Sequence, residues 1–465
     1  MSDDQHPDGV REVIVAPGDI RRGRPRRWRR TATEFAAVPL LVILGFCALA
    51  AVSIIADQTN SVGVLNTARV AAGHVVGKQA ASTALQAIAT GLVTVASITF
   101  SVLLLAVQQT ASSLSPVVLD QFIRRRSNQA FLGFFVGLAL FAYVVMAAVQ
   151  DSTPPILGAT LGTLLTVVAG LVLLLLVYST VAQMRPANVV RVIHDRILVA
   201  RREEERTVAS TRRRSTSGHP VAALCRAKVT GYLTHIDLDP MQRALSTAED
   251  AEICLHVTLG QHVSYGDTLA TVRDRDINRA EAIARQVVAA LTVSAQRDLA
   301  HDPTTGIDQL GNIAWTSGSS AKHNPEIARE ALNALEDIAA RWLADKPASM
   351  PSQDLPEPLA IVYREGDLDR LLDVFYSMLI AAHESQQHTF AAAVLHAYSR
   401  LLQRAPGPVG RRLRRDLSHV TDILDEIPSS PQLRRARRAV DTAVQLGQTA
   451  PAPTGPSHSE AKGAQ

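Results

Sequence analysis

Cysteine is scarce in this chain: Cys47, Cys225 and Cys254 are the only three in 465 residues. No disulfide framework can be built from so few, and the count fits a reducing compartment. Aromatic residues make up only 4%, and lysine supplies five of the 47 basic residues. The arginine excess hints at a GC-rich genome rather than a physical need. Charge is missing altogether from four long stretches, residues 35–56, 80–107, 130–149 and 155–178. About 20 mostly apolar residues are needed for a helix to cross a bilayer core. Runs this long and unbroken exclude the alternating strands of a membrane barrel. The chain therefore reads as a mainly α membrane protein with four transmembrane helices. No acidic or basic residue lies deep in any run, which disfavours a charged proton relay or voltage sensor. Walker loop, dinucleotide fingerprint, nucleophile elbow and HExxH motif are all missing. No catalytic, cofactor-binding or metal-ligating residue is assigned, and an enzyme is the less favoured class.

What charge there is has a pattern. Net charge is +4 with a pI near 9.1. The densest basic run, residues 21–30, stands directly before the first span. Arg124, Arg125 and Arg126 follow the second span, and Arg185 and Arg191 the fourth, whereas the two intervening loops carry little charge. Positive residues beside membrane helices mark the cytoplasmic side. Both termini are thus expected in the cytoplasm of a multi-pass protein of a bacterial inner membrane, with Arg124, Arg125 and Arg126 at lipid headgroups. The basic balance is absorbed by this flanking role, so nucleic acid is not an expected partner. The polar lead and the 22-residue first span suit a retained helix better than a cleaved signal. Residues 1–32, rich in Pro, Asp and Arg, are expected to be a disordered basic N-terminus.

The second span is unusually polar. Thr90, Thr94, Ser97, Thr99 and Ser101 recur close to one helical face, continuing into Gln108, Gln109, Ser112 and Ser113. Small and hydroxylated residues allow membrane helices to pack closely, and the same face can line a hydrated path. As a pore or gate, the set would be Thr94, Ser97, Ser101, Gln108, Gln109, Ser112 and Ser113. The segment 114–129 has the pattern of an amphipathic interfacial helix started by Ser115-Pro116.

Residues 33–184 form the membrane domain, and residues 185–220 a helical linker. From Val221 the pattern turns to short β runs with Gly231, Gly260 and Gly266 at turns, which predicts a small β module over residues 221–274. Residues 275–447 show helical spacing in seven segments, 277–296, 305–315, 325–344, 367–387, 390–403, 410–427 and 431–446. Residues 347–358 read as a linker and 448–465 as a disordered tail.

Two clusters could carry chemistry. His219, Cys225, His235, Cys254, His256 and His262 gather in the β module, but without paired CxxC or HxxxH spacing, and buried cysteine with surface histidine explains them equally. Asp302, Gly306, Asp308 and Asn324, with His301, Asn312 and His323 near in sequence, are a candidate cytosolic ligand site. The competing reading is that Asp302-Pro303-Thr304 caps a helix. The arginine-rich runs 411–415 and 434–438 suit solvated helix faces.

Three stretches carry a likeness: Phe100-Ser101-Val102 through Gln109, Ser113, Ser115-Pro116 to Arg126-Ser127-Asn128-Gln129; Val229-Thr230-Gly231-Tyr232-Leu233, Ile236-Asp237, Gly260-Gln261-His262-Val263, Gly266 and Leu269; and Gln296-Arg297, His301-Asp302-Pro303, Gly306, Gln309-Leu310 and Ile313-Ala314. On these the chain resembles the bacterial domain-of-unknown-function family 2254, predicted membrane proteins, over most of residues 35–440. It departs from the family's turn at residues 317–325, where only Asn324-Pro325 is kept. The resemblance implies topology rather than an activity. The β module is also similar to a biotinyl/lipoyl-type barrel sandwich through Gly260-x-x-Val263-x-x-Gly266-x-x-Leu269, yet only Lys228 lies near, before the first strand. A structural or docking module is expected rather than a carrier. The favoured function is a channel- or transport-like homo-oligomer gated by its cytosolic domains. The alternative is a membrane-tethered scaffold or sensor that recruits a cytosolic protein partner or small ligand.

Overall fold

Four apolar stretches with no charge to hydrate fold as helices in the computed structural model: α1 (Arg26–Gln58), α2 (Ala81–Ser113), α3 (Arg126–Ala147) and α4 (Ile156–Gln183). Within them lie four segments long and apolar enough to cross a membrane, Ala37–Gln58, Ala81–Ser101, Gln129–Ala147 and Ile156–Ser179. The structure describes residues 11–14, 21–22, 26–58, 80–113, 126–148, 155–183, 186–248, 250–298, 300–319, 325–344, 358–405, 407–427 and 429–449. Residues 114–125 of the expected interfacial helix, with Arg124 and Arg125, and Asn324, the linker 347–357 and the tail 450–465 lie outside them, whereas residues 126–129, expected in that helix, open α3.

The chain divides into two units, one of residues 24–189 and one of residues 1–23 with 190–465. In the first, α3 is the most enclosed helix, with Phe135, Leu138, Phe141, Ala142 and Val145 buried against Leu85 and Ala89 of α2 and Ala159 of α4. Its approach to α1 depends on Gly133 and Gly137. A Cβ on Gly133 would meet Pro39 Cα at 2.8 Å, and one on Gly137 would meet the Phe46 ring at 2.6 Å. Four-residue glycine spacing of this kind lets membrane helices pack backbone to backbone. Asp57, in the last turn of α1, is buried. Its two carboxylate oxygens accept from the Leu157 and Gly158 amides, each at 3.1 Å, so it serves as the side-chain cap of α4.

The second unit starts, in sequence, with two strands ahead of the membrane helices, β1 (Arg11–Ile14) and β2 (Arg21–Arg22). This corrects the expectation of a disordered residue 1–32 segment. The strands form because the sheets of this unit offer them open edges. The remaining strands are β3 (Val221–Arg226), β4 (Gly231–Ile236), β5 (Glu252–Leu255), β6 (His262–Val263), β7 (Thr268–Arg273), β8 (Leu291–Ser294) and β9 (Ile361–Val362). They make two sheets, ordered β1-β3-β7-β5-β9 and β2-β8-β4-β6. β1 runs parallel to β3 and β2 parallel to β8. The module is thus wider than residues 221–274. Residues 291–294, expected within a helix, are a strand antiparallel to β4.

Helices cover and extend this module: α5 (Pro186–Ala209), α6 (Leu238–Leu245), α7 (Ile277–Ala290), α8 (Pro303–Gly318), α9 (Pro325–Ala344), α10 (Asp367–Glu384), α11 (His388–Arg404), α12 (Gly407–Asp425) and α13 (Pro431–Thr449). The buried stripe Ala280, Ile283, Ala284 and Val287 seats α7 on β3 and β7 around Leu233, Ile253, Leu269 and Val272. The later helices pack on one another, with Phe375 of α10 edge-on to Tyr398 of α11 at 6.1 Å. A mainly helical membrane protein with a small sheet region and further helices is the result.

Candidate functional site

The polar residues of α2 lie on the side turned away from its own bundle, among exposed Val93, Ile98, Phe100, Leu104 and Leu105. Ser82, Thr83, Gln86, Thr90, Thr94, Ser97 and Ser101 are all exposed. Thr94 donates to the Thr90 carbonyl at 3.0 Å and Ser101 to the Ser97 carbonyl at 2.9 Å, so these hydroxyls are satisfied by the helix itself. The Gln86 amide is too polar to be matched that way. On α4 the exposed positions include Leu164, Val167, Leu171, Leu174 and Leu175, an apolar surface suited to lipid. Gln108, Gln109, Ser112 and Ser113 continue α2, and Arg126 opens α3; their side chains lie outside the described residues.

In the second unit, Asp302 is fully buried at the start of α8, where elementary capping chemistry puts an aspartate before Pro303. Its carboxylate accepts from the Thr304 amide (2.8 Å) and hydroxyl (2.6 Å), and from the Thr305 amide (3.3 Å) and hydroxyl (2.5 Å). Arg297 donates to Asp302 at 3.1 Å, to Asp308 at 2.5 Å and to the Thr304 hydroxyl, while its guanidinium lies 5.9 Å from the Tyr232 ring of β4. Arg370 of α10 donates to the other Asp308 oxygen at 2.6 Å. Burial works against the Arg297 charge, but Asp302 and Asp308 outweigh it and raise its pKa. Gly260 completes the arrangement with φ +76°; a Cβ there would fall on the Asp302 carboxylate. Tyr232, Gly260, Arg297 and Asp302, far apart in sequence, thus form one clasp joining β4, α8 and α10. Gly306 is buried in α8 and carries no polar side chain to add. The clasp uses its carboxylate, guanidinium and hydroxyl groups on one another, which suits holding the two layers together better than holding a ligand.

The histidines and cysteines do not converge. Cys225 is buried, with its thiol 3.7 Å from the Ala284 carbonyl and its pKa pushed up to about 12 by burial. Cys254 contacts Glu252 at 3.8 Å, and His256 bonds Thr271 at 3.0 Å. His262 stacks edge-on to Tyr232 at 5.1 Å, and His235 to His301 at 6.4 Å. Among the described residues, no group of three or more His, Cys, Asp or Glu is placed to hold a metal ion.

A second polar cluster was hidden in the sequence. Arg201 and Glu204 of α5 meet Tyr363, Glu365 and Asp367, from the segment that runs from β9 into α10. Arg201 donates to Glu365, and to Asp367 at 3.2 Å, with its guanidinium 5.0 Å from the Trp342 ring of α9. Tyr363 donates to Glu204 at 2.8 Å and accepts from the Leu259 amide at 3.3 Å. Glu204, Tyr363 and Asp367 are each 1% exposed. In sequence, residues 201–206 look like an ordinary solvated helix turn, and nothing local signals partners some 160 positions away.

Four helices long and apolar enough to cross a membrane, a bundle stapled by glycine contacts, and a second unit of sheets and helices are the features of a membrane protein. The chain belongs to domain-of-unknown-function family 2254, described as a predicted membrane protein, whose profile matches residues 32–397. No curated protein and no solved structure matches it.

Proposed function

We propose that this protein is a self-associating membrane protein in which α2 faces of neighbouring copies line a shared hydrated path, giving a channel- or transport-like assembly governed by the extramembrane unit. The observation that carries the reading is the outward polar face of α2, from Ser82 through Gln86 to Ser101. Left against lipid, an amide side chain loses its hydrogen bonds to water, whereas a second copy or a water-filled seam restores them. The arginine flanks place both termini in the cytoplasm in this reading. The pairing of β1 and β2 with β3 and β8 supports it: strands of one sheet share one aqueous compartment, so the crossings between them must be even in number.

The test uses Cys47→Ser protein in native membranes, with single cysteines introduced at Thr94, Ser97 or Leu171. Oxidation is expected to cross-link the α2 positions between copies and to leave position 171 monomeric. Reconstituted protein is expected to pass small ions, at a rate altered by Ser97→Leu. Monomeric protein in impermeable vesicles would overturn the reading. A second reading, a membrane-tethered scaffold, draws support from Arg411, Arg415, Arg435 and Arg438, all exposed on α12 and α13. It predicts one stoichiometric acidic protein partner lost on their replacement by glutamine.

A further inference from the structure

We propose that Asp367 keeps its proton at neutral pH and donates it to the buried oxygen of Glu204, and that this hydrogen bond latches α5 to the β9–α10 segment, so that rising pH loosens the latch. The inference is independent of the role of α2.

Charge in this cluster is unbalanced. Among the described residues, Arg201 is the one cation bonded within this cluster, and it faces four carboxylates. It bonds Glu365 and Asp367, lies 3.4 Å from Glu205, and sits 4.0 Å from the second oxygen of Glu204, beyond hydrogen-bond reach. The side chains of Glu205 and Glu365 are 44% and 22% exposed and are hydrated. Those of Glu204 and Asp367 are 0% and 2% exposed and are not. Glu204 Oε1 has its donor in Tyr363, which is fixed as a donor because its oxygen is already taken by the Leu259 amide. Glu204 Oε2 is buried and has no donor among the described residues. An oxygen in that position is costly if bare. A proton on Asp367, aimed at Glu204, supplies the donor and removes one negative charge in the same step, as paired buried carboxyls do elsewhere.

The surroundings agree. Burial first, then Glu204, holds the Asp367 carboxyl well above the usual carboxylate range. The same two causes push the Tyr363 phenol up, so it stays a donor. Of the other ionisable groups on these elements, His194 is engaged with Asp337, Glu203 with His301, Arg370 with Asp308, Asp369 and Asp373 with Arg412, and Arg364 with the Arg213 carbonyl, while Arg196, Arg202 and Arg206 are exposed. Trp342 of α9 closes the site over Arg201 without a titratable group.

The sign follows from proton linkage. When α5 and the β9–α10 segment part, Asp367 returns to a value near the ordinary ~3.9 and loses its proton. The latched form therefore binds one proton more than the open form between that value and its raised one. Across this window the open-to-latched ratio rises up to tenfold per pH unit.

Full-length protein in lipid nanodiscs can be tested by hydrogen exchange over residues 197–206 and 361–370 from pH 6 to 8.5, corrected for intrinsic exchange. The wild type is expected to open more with pH, approaching tenfold per unit. Asp367→Asn, which carries its own N–H donor and cannot titrate, is expected to give a flat profile. A protonated-carboxyl carbonyl band in the infrared spectrum at pH 7 should be present in wild type and in Glu365→Gln and missing from Asp367→Asn. A pH-independent wild type without that band would overturn the proposal, as would an Asp367→Asn profile with the wild-type slope. Should Asp367→Asn fail to fold, Glu204→Gln puts the same question from the partner side: a retained wild-type slope refutes the proposed hydrogen bond, and a flat profile supports it.

Discussion

Replacing Gly260 by alanine tests the clasp at its tightest point. Two costs add. At φ +76° an alanine sits in the left-handed region, worth about 1–2 kcal/mol. Its Cβ would also occupy the space of the Asp302 carboxylate, which must swing away. That movement removes the cap of α8, worth about 0.5–2 kcal/mol. It also weakens the Arg297 hydrogen bond, which is partly screened because Arg297 is 22% exposed. A total of about 3 kcal/mol is expected, roughly a hundredfold in opening of the β module. Cys225 provides the assay: it is fully buried, so a thiol reagent reaches it only when the module opens. In a Cys47→Ser background, Cys225 modification followed by mass spectrometry should quicken about 100-fold in Gly260→Ala. The decisive comparison is made in Asp302→Ala, where the carboxylate that clashes is gone. There the glycine substitution should cost only its backbone term, about 1–2 kcal/mol, leaving a coupling of about 1–2 kcal/mol between the two positions. Equal effects in both backgrounds would refute the steric reasoning, as would an unchanged rate in the single variant.

Two further outcomes follow from capping and charge. Asp57→Ala should destabilise the membrane bundle by about 1–2 kcal/mol, since the Leu157 and Gly158 amides lose their acceptor, while Asp57→Asn should retain part of it; unfolding by SDS titration in mixed micelles measures both. For Glu252, burial alone would raise its pKa, but hydrogen bonds from Ser215, Thr216 and Ser217 outweigh burial and hold it below the usual range. Its contribution is therefore complete above the unfolded value near ~4.3 and is lost as pH falls through the folded one. Thermal unfolding should show Glu252→Gln less stable than wild type at pH 6 and the gap closing towards pH 3.

The parts of this fold legible in sequence were those with a local signal. Span length needs only a count of uncharged residues, and residues 325–344 read as a helix between the same limits that the structure gives. Asp302-Pro303 announces a cap within two residues, and α8 begins there. Residues 291–294 were missed because Leu291 continues the helical spacing of Val287 and Val288 while also alternating with Val293 as in a strand, and only pairing with β4 decides between them. β9 is two residues long and pairs parallel to β5, over a hundred positions earlier. Parallel pairing leaves no hairpin turn to find. The Arg201 cluster failed for the same reason: charge reads as solvent-facing until its distant partners are known. The glycine pairs of α3 lay in plain view, but apolar content alone does not reveal which face of a span meets a neighbour.

The two leading strands have a further consequence, for how the chain is made. β1 emerges from the ribosome roughly 200 residues before β3, which at 5–20 residues per second is a wait of about 10–40 s. All four spans are synthesised in that interval. Both β1 and β2 join at the outer edge of their sheets, the positions that can be added last. In the four-span topology proposed above, a chain that skipped one span would deliver β3 and β8 to the opposite side of the bilayer, where β1 and β2 could not reach them. Its sheet edges would then stay unpaired, open to proteases and to aggregation. In the four-span reading proposed above, closing these two edges therefore waits on the insertion of every span.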